Sequence, residues 1–342
     1  MGKRIAVIGA GSWGTALAVS LAQSGHRVSL CARRPELAAK LSDERCNDEY
    51  LPEVRIPDSI EITSDLQKAI EGSNVWLIAT PSQAVRAVAS LLQPFVTPDL
   101  IVVSVAKGIE MGTLLTTSCV LADCLKPISK EQIAVLYGPS HAEEVGEQNP
   151  TTVVAASYSE KTASIVQDLF MTPSLRVYVN DDIVGVEIAG SVKNVMAIAA
   201  GISDGIGFGD NAKAAIMTRG LAEIKRLGVA MGAESSTFAG LAGIGDLVVT
   251  CMSTLSRNRN LGYAIGKGAT LEEIQASMNM VAEGVLTTKS VMQLAQKLHV
   301  DMPITAAVHQ ILFDGIAPKA AVKQLMMRSA KKEDWLTSKS TS

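Results

Sequence analysis

The chain has 342 residues, 47% of them hydrophobic, with 31 Lys and Arg against 34 Asp and Glu for a net charge of −3. That length exceeds one ordinary core and predicts about two domains, while the balanced charge excludes a general attraction to nucleic acid or to an anionic membrane. No segment is read as inserting into a membrane, Met1-Gly2-Lys3-Arg4 leads into a strand rather than a secretory signal, and five scattered Cys with only four His give neither a disulfide framework nor a zinc pattern. The expectation is a cytoplasmic protein without a metal.

Arg4-Ile5-Ala6-Val7-Ile8 is an apolar strand that runs directly into Gly9-Ala10-Gly11-Ser12-Trp13-Gly14 and then a helix. Strand, glycine turn and helix in that order read as the first βα turn of a dinucleotide-binding fold, although a glycine turn without a ligand fits the same residues. Gly9 permits the tight turn, Gly11 removes a side chain that would hold a pyrophosphate off the backbone, and Gly14 allows close helix–strand packing. Phosphates there would meet exposed amides and the positive helix end. The next strand, residues 27–32, ends where an NAD-binding fold places an Asp or Glu for the ribose, yet the chain has Arg33-Arg34. Two guanidiniums suit a 2′-phosphate, so NADPH is expected ahead of NADH; an exposed basic helix start fits the same residues.

Strand-like runs recur at residues 74–79, 100–105 and 132–136, near-continuously apolar as in strands buried on both faces. Residues 82–92 read as a helix between the first two, and further strands follow at 152–156 and 176–179. The predicted fold is α/β: a Rossmann-like doubly wound sheet with extra strands over residues 1–180. Beyond Asp182, a fitting N-cap, Val184, Ile188, Val192, Val195 and Ala199 recur at helical spacing, so a long helix opens an all-helical unit over residues 181–330. Asp210 before Asn211, a helical run to Gly228 and the capping-box pattern Thr270-Leu271-Glu272-Glu273 mark further helices. The polar tail 331–342 is expected to fray.

Lys193 and Asn194 lie off the apolar stripe of the long helix, with Gly190 one turn earlier leaving room for a ligand. Carbonyl reduction needs a proton donor at the oxygen, and a partly desolvated Lys with a lowered pKa supplies one; a surface Lys with its stem along the helix fits the pattern equally. Asp246, between small residues and an apolar run, suits either the orientation of an ammonium or hydroxyl, or a helix cap. Ser256-Arg257-Asn258-Arg259-Asn260 has the density of donors that a substrate phosphate requires, and also reads as a solvated loop. Lys107 sits just past a strand, on the carboxyl edge where open α/β sheets bind ligands. Gly138-Pro139-Ser140-His141 follows another strand and would present backbone amides and the Ser140 hydroxyl, or form an ordinary turn. His141 is either an acid–base candidate or a loop histidine. Metal-dependent hydrolysis has no HExxH pattern or acid triplet behind it.

Seven blocks occur in order: Gly9-Ala10-Gly11-Ser12-Trp13-Gly14-Thr15-Ala16, Lys107-Gly108-Ile109-Glu110, Gly138-Pro139-Ser140-His141-Ala142-Glu143-Glu144-Val145, Ser191-Val192-Lys193-Asn194, Gly209-Asp210-Asn211-Ala212-Lys213-Ala214-Ala215, Gly243-Ile244-Gly245-Asp246-Leu247 and Ser256-Arg257-Asn258-Arg259-Asn260. Together they resemble bacterial NAD(P)-dependent glycerol-3-phosphate dehydrogenase of the biosynthetic type, over residues 4–325. The resemblance implies reversible reduction of dihydroxyacetone phosphate to sn-glycerol 3-phosphate for glycerophospholipid synthesis, by a homodimer that uses NADPH or NADH and no metal. It implies dinucleotide contacts from Ser12, Trp13, Arg33, Arg34, Lys107, Ala142, Arg257, Val281 and Glu283. Substrate contacts are implied for Lys107, Gly138, Ser140, Lys193, Asp246, Ser256, Arg257 and Asn258, with Lys193 as proton acceptor in oxidation and donor in reduction. A β-hydroxyacid dehydrogenase also pairs a Rossmann domain with a Lys-Asn helix, although Ser256 to Asn260 suits a phosphorylated substrate instead. A nonenzymatic dinucleotide sensor would have no use for Lys193 and Asp246.

Overall fold

The computed structural model describes residues 2–277 and 282–330, so the expectations for Val281 and for the tail from residue 331 lie outside the described residues. The chain first forms β1 (Arg4–Ile8), α1 (Ser12–Gln23), β2 (Arg27–Cys31), α2 (Pro35–Glu44), the short β3 (Cys46–Asn47) and β4 (Leu51–Arg55), β5 (Glu61–Thr63), α3 (Leu66–Ile70) and β6 (Val75–Ile78). It continues through α4 (Val85–Leu92), β7 (Ile101–Ser104), α5 (Thr117–Cys124), β8 (Ile133–Tyr137), α6 (Ala142–Gly146), β9 (Thr151–Ser157), α7 (Glu160–Phe170) and β10 (Leu175–Asn180). An 8-stranded sheet has the order β10-β9-β8-β7-β6-β1-β2-β5. The strands from β5 to β8 across the sheet are parallel, whereas β9 runs against β8 and carries β10 alongside it.

β1 shows why these strands are apolar without alternation. Ile5 and Val7 pack with α1 and α7 in one core, and Ala6 and Ile8 pack with α4 and α5 in another. Both faces are covered, so both sets of side chains must be hydrophobic. The chain lays β2 and β5 on one side of β1, then returns to lay β6, β7 and β8 on the other. That reversal opens a crevice beside the carboxyl end of β1, and the parallel direction brings the loops after β1, β2, β6, β7 and β8 to the same edge. The β3–β4 hairpin and β5 were not anticipated, because they are short and carry polar residues.

The remainder is helical: α8 (Ile183–Ile206), α9 (Asp210–Ala230), α10 (Asp246–Met252), α11 (Arg257–Gly266), α12 (Leu271–Ser277), α13 (Glu283–Lys297), α14 (Pro303–Phe313) and α15 (Pro318–Met326). Asp182 caps α8 by accepting the Gly185 N–H at 2.8 Å, and its other oxygen takes the Glu234 N–H at 2.8 Å and the Thr237 hydroxyl at 2.6 Å. Thr270 and Glu273 form the reciprocal capping box, Thr270 N to Glu273 Oε2 at 2.9 Å and Glu273 N to Thr270 Oγ1 at 3.2 Å. Asp210, by contrast, is the first helical residue of α9 rather than its cap; Gly209 holds the cap position, and the helix runs past Gly228 to Ala230. By length and a mean hydropathy of 1.5, α8 would pass as a bilayer span, but 89% of that window is buried inside the protein. It is a core helix, buried nearly all round, with its buried charged side chains, Glu187 and Lys193, paired inside the protein.

The tightest joint lies between α8 and α11. A Cβ on Gly201 would stand 2.0 Å from the Arg259 carbonyl oxygen, and one on Gly205 2.3 Å from that of Tyr263. From the other helix, a Cβ on Gly262 would stand 2.1 Å from the Ile198 oxygen, and one on Gly266 2.5 Å from that of Ile202. Two glycines four residues apart on each helix therefore let backbone rest on backbone. Replacing Gly262 by Ala should cost about 1–3 kcal/mol through overpacking and lower the melting temperature; an unchanged melting curve would contradict this packing.

Candidate active site

At the crevice, Gly9 has φ +119° and its Cβ would lie 2.5 Å from the Ala79 oxygen. A Cβ on Gly14 would lie 1.9 Å from the Gly9 oxygen, so the helix approaches the turn as closely as backbone allows. Gly11 differs: its Cβ would meet nothing within 4 Å among the described residues. None of their side chains caps α1, whose first residue is the buried Ser12. The turn thus offers open space before uncapped helix N–H groups, which fits a pyrophosphate. Trp13 is half-buried against the core. Asn47, from the unanticipated hairpin, donates to the Ala10 oxygen at 3.0 Å and Thr15 Oγ1 at 2.7 Å, tying the hairpin to the turn. Arg33 is exposed. Arg34 is engaged by Glu49 at 2.5 Å and Tyr50 at 3.3 Å, an exposed pair that a stronger anion can displace.

Lys193 is the eleventh residue of α8, about 15 Å along the helix, one turn beyond the level of Tyr137 at the end of β8. The space expected beside Gly190 is not free for a ligand: Tyr137 fills it, and a Cβ on Gly190 would lie 2.6 Å from that ring. Nor is Lys193 a surface residue, its side chain being 8% exposed. Its Nζ donates to Asp246 Oδ1 and to Thr250 Oγ1, the latter at 2.6 Å. The other Asp246 oxygen receives Lys107 Nζ at 2.7 Å, and Lys107 also donates to the Gly138 oxygen at 3.0 Å while lying 5.5 Å above the Tyr137 ring centre.

Asp246 opens α10 after a π-helical turn over Leu241–Gly245, and its carboxylate binds the two ammoniums instead of capping the helix. Thr250, one turn on, fixes this arrangement by donating to the Asp246 carbonyl at 2.5 Å. Burial pushes the Lys193 ammonium down to about 8; Asp246 opposes that shift and the positive Lys107 adds to it. A lysine so placed can give up a proton near neutral pH, and the cluster of two cations and one anion retains positive charge for a developing oxyanion.

The segment from Ser256 to Asn260 divides. Ser256 caps α11, accepting the Arg259 N–H at 3.3 Å, and the buried Asn258 accepts the Gly284 N–H at 2.9 Å through its Oδ1. Arg259 turns away to Asp204 at 2.6 Å, which also holds Lys213 at 2.9 Å. Asn260 donates to the Thr254 oxygen at 2.7 Å. Residues two apart on a helix point to different sides, so the whole five-residue cluster does not face one ligand. The charge of Arg257 acts on Glu283, whose carboxylate takes the Ser82 N–H at 2.9 Å and the Ser82 hydroxyl at 2.5 Å. Burial raises the Glu283 pKa despite those bonds. Ser140 donates to the Gly138 oxygen at 3.0 Å, and the buried Ala142 begins α6.

Tyr137, Thr250, Ser82 and Glu187 escaped the sequence reading. Glu187 accepts from Thr117 Oγ1 at 3.0 Å and the Ser118 N–H at 2.8 Å, pinning α8 to α5. An acid set among the apolar residues of the first turns of α8 was the one available signal for it.

Two family models match the chain: the N-terminus of NAD-dependent glycerol-3-phosphate dehydrogenase over residues 4–163 and its C-terminus over residues 182–323. A Salinibacter ruber protein named NAD(P)+ glycerol-3-phosphate dehydrogenase 2 is 59% identical over 98% of this chain and 98% of its own. One of that name from Chlorobium phaeobacteroides is 57% identical over 96% and 99%. The crystal structure of glycerol-3-phosphate dehydrogenase from Coxiella burnetii superposes with a TM-score of 0.91 at 40% identity, covering 96% of this chain and 99% of that one.

The charge arrangement sets an expected titration. In protein carrying 13C-lysine, the Lys193 side-chain resonance should titrate near pH 8, lower in Asp246→Asn and higher in Lys107→Met. A midpoint in the ordinary lysine range would remove the electrostatic basis of the site.

Proposed function

The chain belongs to the NAD-dependent glycerol-3-phosphate dehydrogenase family, and from that premise we propose that it reduces dihydroxyacetone phosphate to sn-glycerol 3-phosphate, reversibly, with a nicotinamide dinucleotide. The observation that carries the reading is Lys193, buried, lowered to about 8 and bonded to Asp246 at the sheet edge that receives the dinucleotide turn. In this reading residues 1–180 form the dinucleotide-binding domain and 181–330 the helical substrate and catalytic domain, with each lending a few residues to the other's ligand.

A dihydronicotinamide dinucleotide held at the β1 turn would supply the hydride for C2 of the carbonyl. Lys193 Nζ holds a proton toward the carbonyl oxygen and delivers it as negative charge develops there; in oxidation the neutral amine takes the proton back. Asp246 and Thr250 fix the direction of Nζ, and Lys107 keeps the surroundings positive. Arg257, Ser256 and Asn258 at the start of α11 hold the phosphate, while Gly138 and Ser140 border the triose. Anchoring the nonreacting end this way turns binding into orientation of the reacting carbonyl. Ser12, Trp13, Arg33, Ala142 and Glu283 line the dinucleotide path in this reading, and the guanidinium of Arg33, with Arg34 once drawn from Glu49, favours NADPH. A cytoplasmic homodimer accompanies it; the apolar strip formed by Ile244 of the π-helical turn and Val248, Val249 and Met252 of α10 is a surface that a second copy would cover.

Mixing the protein with dihydroxyacetone phosphate should consume the absorbance of NADPH, and unphosphorylated dihydroxyacetone should not; silence with both would defeat the proposal. Lys193→Ala should lower kcat by about 10²–10⁴-fold with NADPH affinity retained in fluorescence titration, and near-normal turnover would exclude Lys193 as the proton donor. Arg33→Asp should weaken NADPH more than NADH, since it sets a carboxylate against the 2′-phosphate. Equal loss for both would displace Arg33 from that role.

A further inference from the structure

His141 is a polar group on this sheet edge that the mechanism above leaves unused. It holds the N-cap position of α6 between Ser140 and Ala142, without a side-chain cap bond. The ring is partly buried, and its Nε2 is buried with no hydrogen-bond partner among the described residues. Such an atom carries an uncompensated loss of hydration, which a ligand group placed against it would relieve.

The charged groups around the ring are Lys193 on α8, Asp246 on α10, and Glu143 and Glu144 on α6 itself. Burial, and then the Lys193 ammonium, hold His141 below the ordinary imidazole range against the pull of the three carboxylates. At neutral pH the ring is therefore uncharged, with one nitrogen donating and the other accepting. It has no charge with which to attract a phosphate, and it matches a hydroxyl.

A triose phosphate presents three polar features to this site. The phosphate calls for Arg257 and its neighbours, and the carbonyl oxygen for the Lys193 ammonium. The free hydroxyl remains; the Ser140 hydroxyl already donates to the Gly138 oxygen and has only lone pairs left to offer, whereas a neutral imidazole nitrogen is unpartnered at His141 Nε2. We propose that His141 hydrogen-bonds the free hydroxymethyl end of dihydroxyacetone phosphate and thereby sets the preference for a hydroxylated ketone. This rests on the reading of the site as a dihydroxyacetone phosphate reductase.

The test compares dihydroxyacetone phosphate with hydroxyacetone phosphate, in which that hydroxymethyl group is a methyl, for the wild type, His141→Leu and His141→Gln. The wild type should prefer the hydroxylated ketone. His141→Leu should lose about 10–100-fold in kcat/KM on dihydroxyacetone phosphate and little on the methyl ketone, so that discrimination collapses; His141→Gln, which keeps a hydrogen-bonding amide, should restore part of it. NADPH binding reports whether each variant is folded, and His141→Ala carries the same comparison if the leucine does not fit. Equal losses on both ketones, or an undiminished preference without the imidazole, would overturn the role of His141. Wild-type inactivity on both ketones would instead overturn the reductase reading and the proposal with it.

Discussion

One carboxylate holds two ammoniums that arrive from different halves of the chain: Asp246 binds Lys107 from the loop after β7 and Lys193 from α8. Without that anion, the buried Lys193 and the half-buried Lys107 would repel each other across the junction of sheet and helices. The same pattern recurs on either side. Glu187 of α8 takes donors from Thr117 and Ser118, and Glu283 of α13 takes both donors of Ser82. At three places an acid from the helical half enters a loop or helix start of the sheet half, where hydroxyls, amides or an ammonium compensate for its lost hydration.

This arrangement sets stability against chemistry. An ammonium confined as Lys193 is gives up hydration that Asp246 and Thr250 only partly replace, and the lowered proton affinity records the difference. An unfolded lysine binds its proton more tightly, so the destabilising contribution is complete below about pH 8 and is relieved as pH rises toward 10.5, the ordinary lysine value. The fold tolerates a cost at this point, the pattern expected where burial tunes a titratable group toward neutral pH.

What was legible in the sequence was local. Gly9, Gly11 and Gly14 act within one turn, so their spacing alone conveys their steric roles, and Asp182 and the Thr270–Glu273 box announce their helices within a few residues. Partnerships between distant segments leave no such pattern: Ser82 and Glu283 are 201 positions apart, and Asn47 lies in a hairpin too short and polar to be anticipated. The environment of Lys193 was hidden for a related reason. Helical periodicity identifies one apolar stripe, but α8 is enclosed on every side, so a residue off the stripe is still inside. Arg257 and Arg259 look equivalent in the sequence until the helix turns the second toward Asp204, and the gap implied by Gly190 is visibly filled only once β8 delivers Tyr137.

The glycine joint between α8 and α11 has a bearing on which molecules the site can measure. Lys193 rides on one of these helices and Ser256, Arg257 and Asn258 begin the other, and no flexible side chain separates the two backbones at Gly201, Gly205, Gly262 and Gly266. With backbone resting on backbone at these four positions, there is no side chain between the helices to yield, so the residues carried by α8 and α11 keep their spacing. A ligand seated between Lys193 and the start of α11 would therefore meet a spacing set by main-chain contact and not by adjustable side chains.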